Sequence, residues 1–266
     1  MSMRATSHPL HAKAFPVQWM KQAAYGALIA YTLYACSTLD VSLVRFINGL
    51  DHAAKLFGRM FPPNTAPDKI SLIVEGIVES IQIAILSSFF GTLLSLPLGL
   101  AAARNLSPLW LASFSRIIIA ICRSFHPIII SILFVKAVGF GALAGMLALV
   151  ISSVGFVSKL FAEILEEISQ KQIEAVRSTG ASFFNVLIYA VVPQVMSRFV
   201  GLSVYQFDSN LRNSTMVGIV GGGGIGAALF TAYQRFDYDV VLTILLIIIG
   251  LIILCEVISG RVREVS

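Results

Sequence analysis

The amino-acid sequence predicts an all-α polytopic membrane protein with about six spanning helices, and three observations lead there. Hydrophobic residues make up 57% of the 266-residue chain and charged residues 12%, too little charge to cover a soluble globule of this size. Mean hydropathy is +0.85. The apolar residues also gather into runs near the length a helix needs to cross a bilayer, roughly 20 residues. These runs lie at 23–39, 77–103, 111–135, 141–157, 186–204 and 240–258. The second and third are long, so tilt or a polar end takes up the excess. No low-complexity linker divides them, so 23–258 reads as one membrane domain between a segment 1–22 and a tail 259–266.

The elements follow in order. Arg4, Lys13 and Lys21 precede the first run, the mark of a cytoplasmic N-terminus. That run is long enough to span and no convincing cleavage site follows it, so it does not read as a signal peptide. An even number of spans returns Arg261 and Arg263 to the same side, with Lys159, Lys171 and Arg177. Arg45, Lys55, Arg59, Lys69, Arg212 and Arg235 fall on the other side, so charge bias alone gives weak support to the orientation. Residues 41–61 repeat apolar groups at helical spacing, Val44, Ile47, Leu50, Ala54 and Phe57, with Arg45, Asp51, Lys55 and Arg59 between them. An external amphipathic helix lying in the interface is expected there. FPPNTAP at 61–67 ends it before the second span. Residues 104–108 form a short inner turn and 136–140 a glycine-bearing outer one.

The longest inner loop is 158–185. Its first part, SKLFAEILEEI, extends the fourth span into water, and SQKQ at 169–172 is a polar break. Residues 173–178 then read as a short helix stopped near Gly180, where a positive φ can cap it. Ser182 or Asn185 can start the next helix, which carries Pro193 inside it. A short helix held sideways between two turns suits insertion into a groove of another protein.

Several chemistries are disfavoured. Cys36, Cys122 and Cys255 are far apart and lie in or near apolar runs, with no metal-ligand or disulfide spacing. His8, His11, His52 and His126 do not pair with carboxylates as a membrane-embedded hydrolase would need. The run GGGGIG at 221–226 continues with AALF and has no lysine, so it is not a nucleotide loop. Close helix packing and gating is its expected role. The alternative is backbone N–H groups of a broken helix facing an anion.

Linked segments carry a resemblance: RSFH at 123–126, GFGALAGMLAL at 139–149, GFVSKLFAEILEEI at 155–168, EAVRSTGAS at 174–182, FDSNLR at 207–212 and GIVGGGGIG at 218–226. In this order they resemble the permease subunit of the phosphonate/phosphite ABC importers, and more distantly the methionine permease, over about residues 94–263. The resemblance implies a type I importer permease fold and an inner-membrane homodimer with both termini cytoplasmic. It implies two ATPase subunits that hold ATP and Mg, a periplasmic binding protein, and no catalysis by this chain. Glu174, Ala175, Val176, Gly180, Ala181 and Pro193 match the family's coupling loop. Val176, Ala190 and Val192 replace the family's alanine, isoleucine and leucine, but the spacing from Glu174 to Gly180 to Pro193 is intact. The cargo it implies is a phosphonate, phosphite or hypophosphite. A permease for another small solute such as an amino acid is the alternative.

An oxyanion crossing lipid needs donors or positive potential. Arg123, His126, Arg212 and Asn213 are the candidates for that path. Arg116 shares a helix face with Arg123 and is expected to reach toward lipid headgroups. Arg123 either lines the path or pairs with a carboxylate such as Glu79, itself three residues from Gln82. Arg212 can pair with Asp208 four residues earlier, Arg198 inside the fifth run needs a partner, and His126 before Pro127 is read first as a cap.

Overall fold

The computed structural model describes residues 18–39 and 42–265, so Arg4, His8, His11, Lys13 and most of the segment 1–22 lie outside the described residues. All regular structure among the described residues is helical. The chain forms two compact units that divide between Gly58 and Arg59.

The first unit holds α1 (Gln18–Thr38) and most of α2 (Leu43–Met60). α1 covers the first apolar run. α2 is the expected amphipathic helix: Val44, Ile47, Leu50 and Phe57 are exposed apolar residues, and Lys55 pairs with Asp51 at 2.6 Å.

The second unit begins its helices with α3 (Pro67–Ala102), 36 residues long. Pro67 lacks the N–H that a first-turn residue leaves unused, and Asn64 Oδ1 accepts the Ala66 N–H at 3.0 Å. α6 (Ala142–Glu166) runs parallel to α3, because Ile83 packs with Leu149, Gly91 faces Ser153 and Gly99 faces Phe161. Small residues on α3 let the two backbones close, which is how helices gain packing in lipid, where burial gains nothing.

Between them the third apolar run is not one straight helix. It breaks into α4 (Leu109–Ser124) and α5 (Pro127–Val138), bent by 86°. The cause is local. A residue before proline is pushed out of the helical region, His126 accordingly has φ −68° and ψ 141°, and its ring accepts the Ile128 N–H at 3.4 Å as the cap of α5. Arg116 and Arg123 stay on one face of α4, but His126, beyond its end, does not share that face.

After α6 come α7 (Gln170–Arg177) and α8 (Phe183–Val186), the latter starting after Ser182, whose extended backbone sits at the N-cap position without a side-chain bond. A π-helical turn at Leu187–Val191 leads into α9 (Val192–Ile219). Pro193 supplies no N–H and crowds the carbonyl one turn back, which the wider turn accommodates. α9 corrects the expected end of the fifth span at residue 204: the helix continues through Arg212 and Asn213 to Ile219. Gln206 and Asn210 are satisfied from inside the bundle, while Arg212 and Asn213 bond Asp208 and Ser209 one turn back on α9. α10 (Ile225–Gln234), not expected from the sequence, and α11 (Tyr238–Val265) complete the unit. Among the described residues, four segments are long and apolar enough to cross a membrane, and up to six if each bent pair is one span.

Candidate functional site

At one end of the second unit, α7 stands on a single buried foot. Ile173 is 2% exposed and packs among Leu165, Val186, Ala190 and Val191. Glu174, Ala175, Arg177, Ser178, Thr179 and Gly180 face outward, with Val176 and Ala181 half-buried against the same cluster. Gly180 has φ +77°, so the chain turns there in a conformation that favours glycine. The Glu174 carboxylate makes no hydrogen bond among the described residues, although its carbonyl accepts from Ser178 N–H at 2.8 Å. Gln194 Oε1 accepts the Ser169 N–H at 2.9 Å and Arg198 bonds Glu167 at 2.7 Å, tying the start of α9 to the approach of α7. Arg198 thus has its carboxylate. Pro193 is exposed beside this seam.

The glycine turn 221–224 lies at the opposite end, between α9 and α10. Glu79 Oε2 accepts the Gly224 N–H at 2.7 Å and Ser80 Oγ accepts the Ile225 N–H at 2.9 Å, while Gly221 O accepts the Gly141 N–H at 2.9 Å. A Cβ on Gly226 would stand 1.9 Å from Thr215 O, and one on Gly145 2.3 Å from Gly222 O. Gly222 lies against Val217, and Gly223 against Ala142 and Glu79. The run is closely packed, and Glu79 and Ser80 accept the Gly224 and Ile225 N–H groups that open α10. Glu79 is accordingly engaged with Gly224 rather than with Arg123.

Midway along the bundle sits a polar seam that sequence reasoning missed. Asn210 is fully buried and donates from Nδ2 to Ser88 Oγ and Ser153 Oγ, both at 2.9 Å, while Gln206 Nε2 donates to Ser153 Oγ at 2.8 Å. The signal was available: Gln206, Asn210 and Ser214 recur every four residues and so share one helix face.

The candidate path residues do not converge. Arg212 pairs with Asp208 at 3.4 Å on α9, and Asn213 Nδ2 lies 3.4 Å from Ser209 Oγ. Arg123 lines a different groove, between α4 and α6, with Arg116 and Lys159, and His126 caps α5. Arg116 bonds Glu166 Oε1 at 2.6 Å and Ala102 O at 3.1 Å.

Fold and loop together define an all-α membrane protein that displays a short helix at the end of its bundle, braced across α6 and α9. The chain belongs to the binding-protein-dependent transport system inner membrane components, whose match covers residues 95–263. It is 36% identical over 243 residues to the phosphate-import permease protein PhnE of Mycolicibacterium smegmatis, covering 90% of this chain and 45% of that one. To the phosphite transport system permease protein PtxC of Stutzerimonas stutzeri it is 35% identical over 257 residues, covering 95% and 92%. The chain thus spans less than half the length of the first relative and nearly all of the second. Among solved structures, an inward-facing MetNI methionine ABC transporter matches with a TM-score of 0.67 at 24% identity, over 76% of this chain and 99% of that one. That likeness speaks for the fold alone.

Proposed function

We propose that the chain is the membrane subunit of an ATP-driven importer for a phosphorus oxyanion: a phosphonate, phosphite, hypophosphite or phosphate. The observation that carries this is α7, an outward-facing edge from Glu174 to Gly180 held on the Ile173 foot, in a chain aligned over 95% of its length with a phosphite permease. In this reading two copies form a homodimer in the bacterial inner membrane. The α7 end and both termini face the cytoplasm, and each α7 docks on an ATPase subunit that holds ATP and Mg. A binding protein delivers the solute to the glycine-turn end. ATPase closure moves α6 and α9 together through α7 and the Arg198–Glu167 brace, a rigid-body gating step.

In this reading an oxyanion meets donors and positive potential at two separate places, Arg212 and Asn213 on α9 and Arg123 and His126 near the α4–α5 break, rather than at one converged site. Proteoliposomes holding the full complex test the reading by uptake of labelled phosphite, methylphosphonate and phosphate, with methionine as control. ATP-dependent uptake of a phosphorus oxyanion is expected. Methionine uptake with none of the three would replace the cargo assignment.

A further inference from the structure

Three cations converge in one groove of about 410 Å³ between α4 and α6: Arg116, Arg123 and Lys159, over a floor of Ile119 and Ala120. α6 has a glycine where α4 crosses it, which lets the two helices approach closely beside the groove. A Cβ on Gly155 would come within 2.9 Å of Arg123 Cγ and 3.0 Å of Cys122 Cβ. Lys159 follows one turn later on α6, about 6 Å along the axis.

The charges are unevenly matched. Arg116 is committed to Glu166 at 2.6 Å, and Lys159 to Glu163 at 2.7 Å. Arg123 has no carboxylate and no hydrogen-bond acceptor among the described residues. The last turn of α4 favours a cation through its unused carbonyls, but no carbonyl accepts from this guanidinium. Arg123 is exposed, in the last turn of α4, and one cation of the three is left over.

We infer that this groove is a binding site for a phosphate-type oxyanion, held by Arg123 with Lys159 and Arg116 beside it. A fork of guanidinium donors matches phosphate oxygens two at a time. The apolar floor beneath the cations also suits the glycerol and acyl portion of a phospholipid, and basic grooves between spanning helices take such headgroups. The ligand is thus either an anionic phospholipid headgroup or a free phosphorus oxyanion. The assignment deepens the role proposed for Arg123 and rests on that reading only for which leaflet the groove faces.

The test uses the full chain in nanodiscs and reads binding, not uptake, so it stands apart from a failure of the transport reading. Native mass spectrometry counts retained phosphatidylglycerol against phosphatidylcholine, and inorganic phosphate is titrated as competitor. A headgroup site predicts preferential retention of phosphatidylglycerol that falls about fivefold in Arg123→Gln, falls further with Lys159→Gln, and does not respond to millimolar phosphate. A free-oxyanion site predicts saturable phosphate binding lost in Arg123→Gln and kept in part in Arg123→Lys. Equal retention of the two lipids by the wild-type chain, with no phosphate binding, overturns the proposal. That arm needs no variant to fold. Retention unaffected by salt or by either neutral substitution overturns it equally, since an electrostatic site must weaken as screening rises.

Discussion

Glu79 and Gly224 are 145 positions apart, yet the Glu79 carboxylate accepts the Gly224 N–H at 2.7 Å and places a negative charge at the start of α10. A helix start offers unpaired N–H groups and partial positive charge, and with Ser80 this one is satisfied from within the chain. Glu79→Gln keeps the shape and removes the charge, and should cost about 1–2 kcal/mol. Glu79→Ala leaves a half-buried N–H unmatched and should cost up to about 3 kcal/mol. Unfolding in denaturing detergent measures both. Wild-type stability in both variants would show that the carboxylate contributes nothing at this position.

The same turn makes a sharp steric prediction. Gly226→Ala and Gly145→Ala drive a methyl into backbone carbonyls at 1.9 and 2.3 Å, and overpacking against backbone costs at least about 1–3 kcal/mol. Gly201 and Gly250 have nothing within 4 Å, so alanine there should be neutral or stabilising by up to about 1 kcal/mol. Thermal midpoints of purified protein by size-exclusion profile separate the pairs. A uniform response at all four glycines would remove the packing role of 221–226.

How much of this was legible in sequence depends on what each residue has for a neighbour. The apolar runs gave α3, α6 and α11 because a lipid-facing helix needs nothing else. Gly180 and Ser182 marked both ends of the α7–α8 turn by local geometry alone. The break between α4 and α5 was written in His126-Pro127, but the continuous apolar run around it concealed the bend. α9 was cut short for the opposite reason: Gln206, Asp208, Asn210 and Arg212 look like an exit to water. Asp208 and Arg212 pair with each other, but the partners of Asn210, Ser88 and Ser153, lie 122 and 57 positions away, and no local pattern contains them. The unpaired Arg123 was likewise invisible, since only the fold shows that Arg116 and Lys159 are already matched.

The buried seam should hold α9 to α3 and α6. Asn210→Ala removes its contacts to Ser88 and Ser153. Hydrogen bonds between spanning helices are worth about 0.6 kcal/mol on average and up to about 1.7. A double-mutant cycle between Asn210→Ala and Ser88→Ala should return a coupling in that range. Additive effects within about 0.3 kcal/mol would mean that the pair merely coexists. Asn210→Leu should do worse than Ala, because it adds volume to a site with none to spare.

The loop helix lets anchoring be separated from docking. Ile173 is the buried foot of α7, so Ile173→Ala opens a cavity under it, a change that costs about 2–5 kcal/mol in well-packed cores. It should raise amide exchange from residue 170 through 180. Glu174 is exposed with no side-chain bond within the described chain, so Glu174→Ala should leave that exchange pattern as it was. If α7 docks on an ATPase, both substitutions must lower co-purification of that partner, the first by loosening the helix and the second with the helix intact. Gly180→Ala adds backbone strain of about 1–2 kcal/mol at φ +77° without any clash, and should fall between the two. Undiminished ATPase association in Glu174→Ala and Gly180→Ala together would leave α7 as a structural connection and move the docking surface elsewhere. Loss of association in Glu174→Ala with unchanged exchange is the outcome that only a contact role can give.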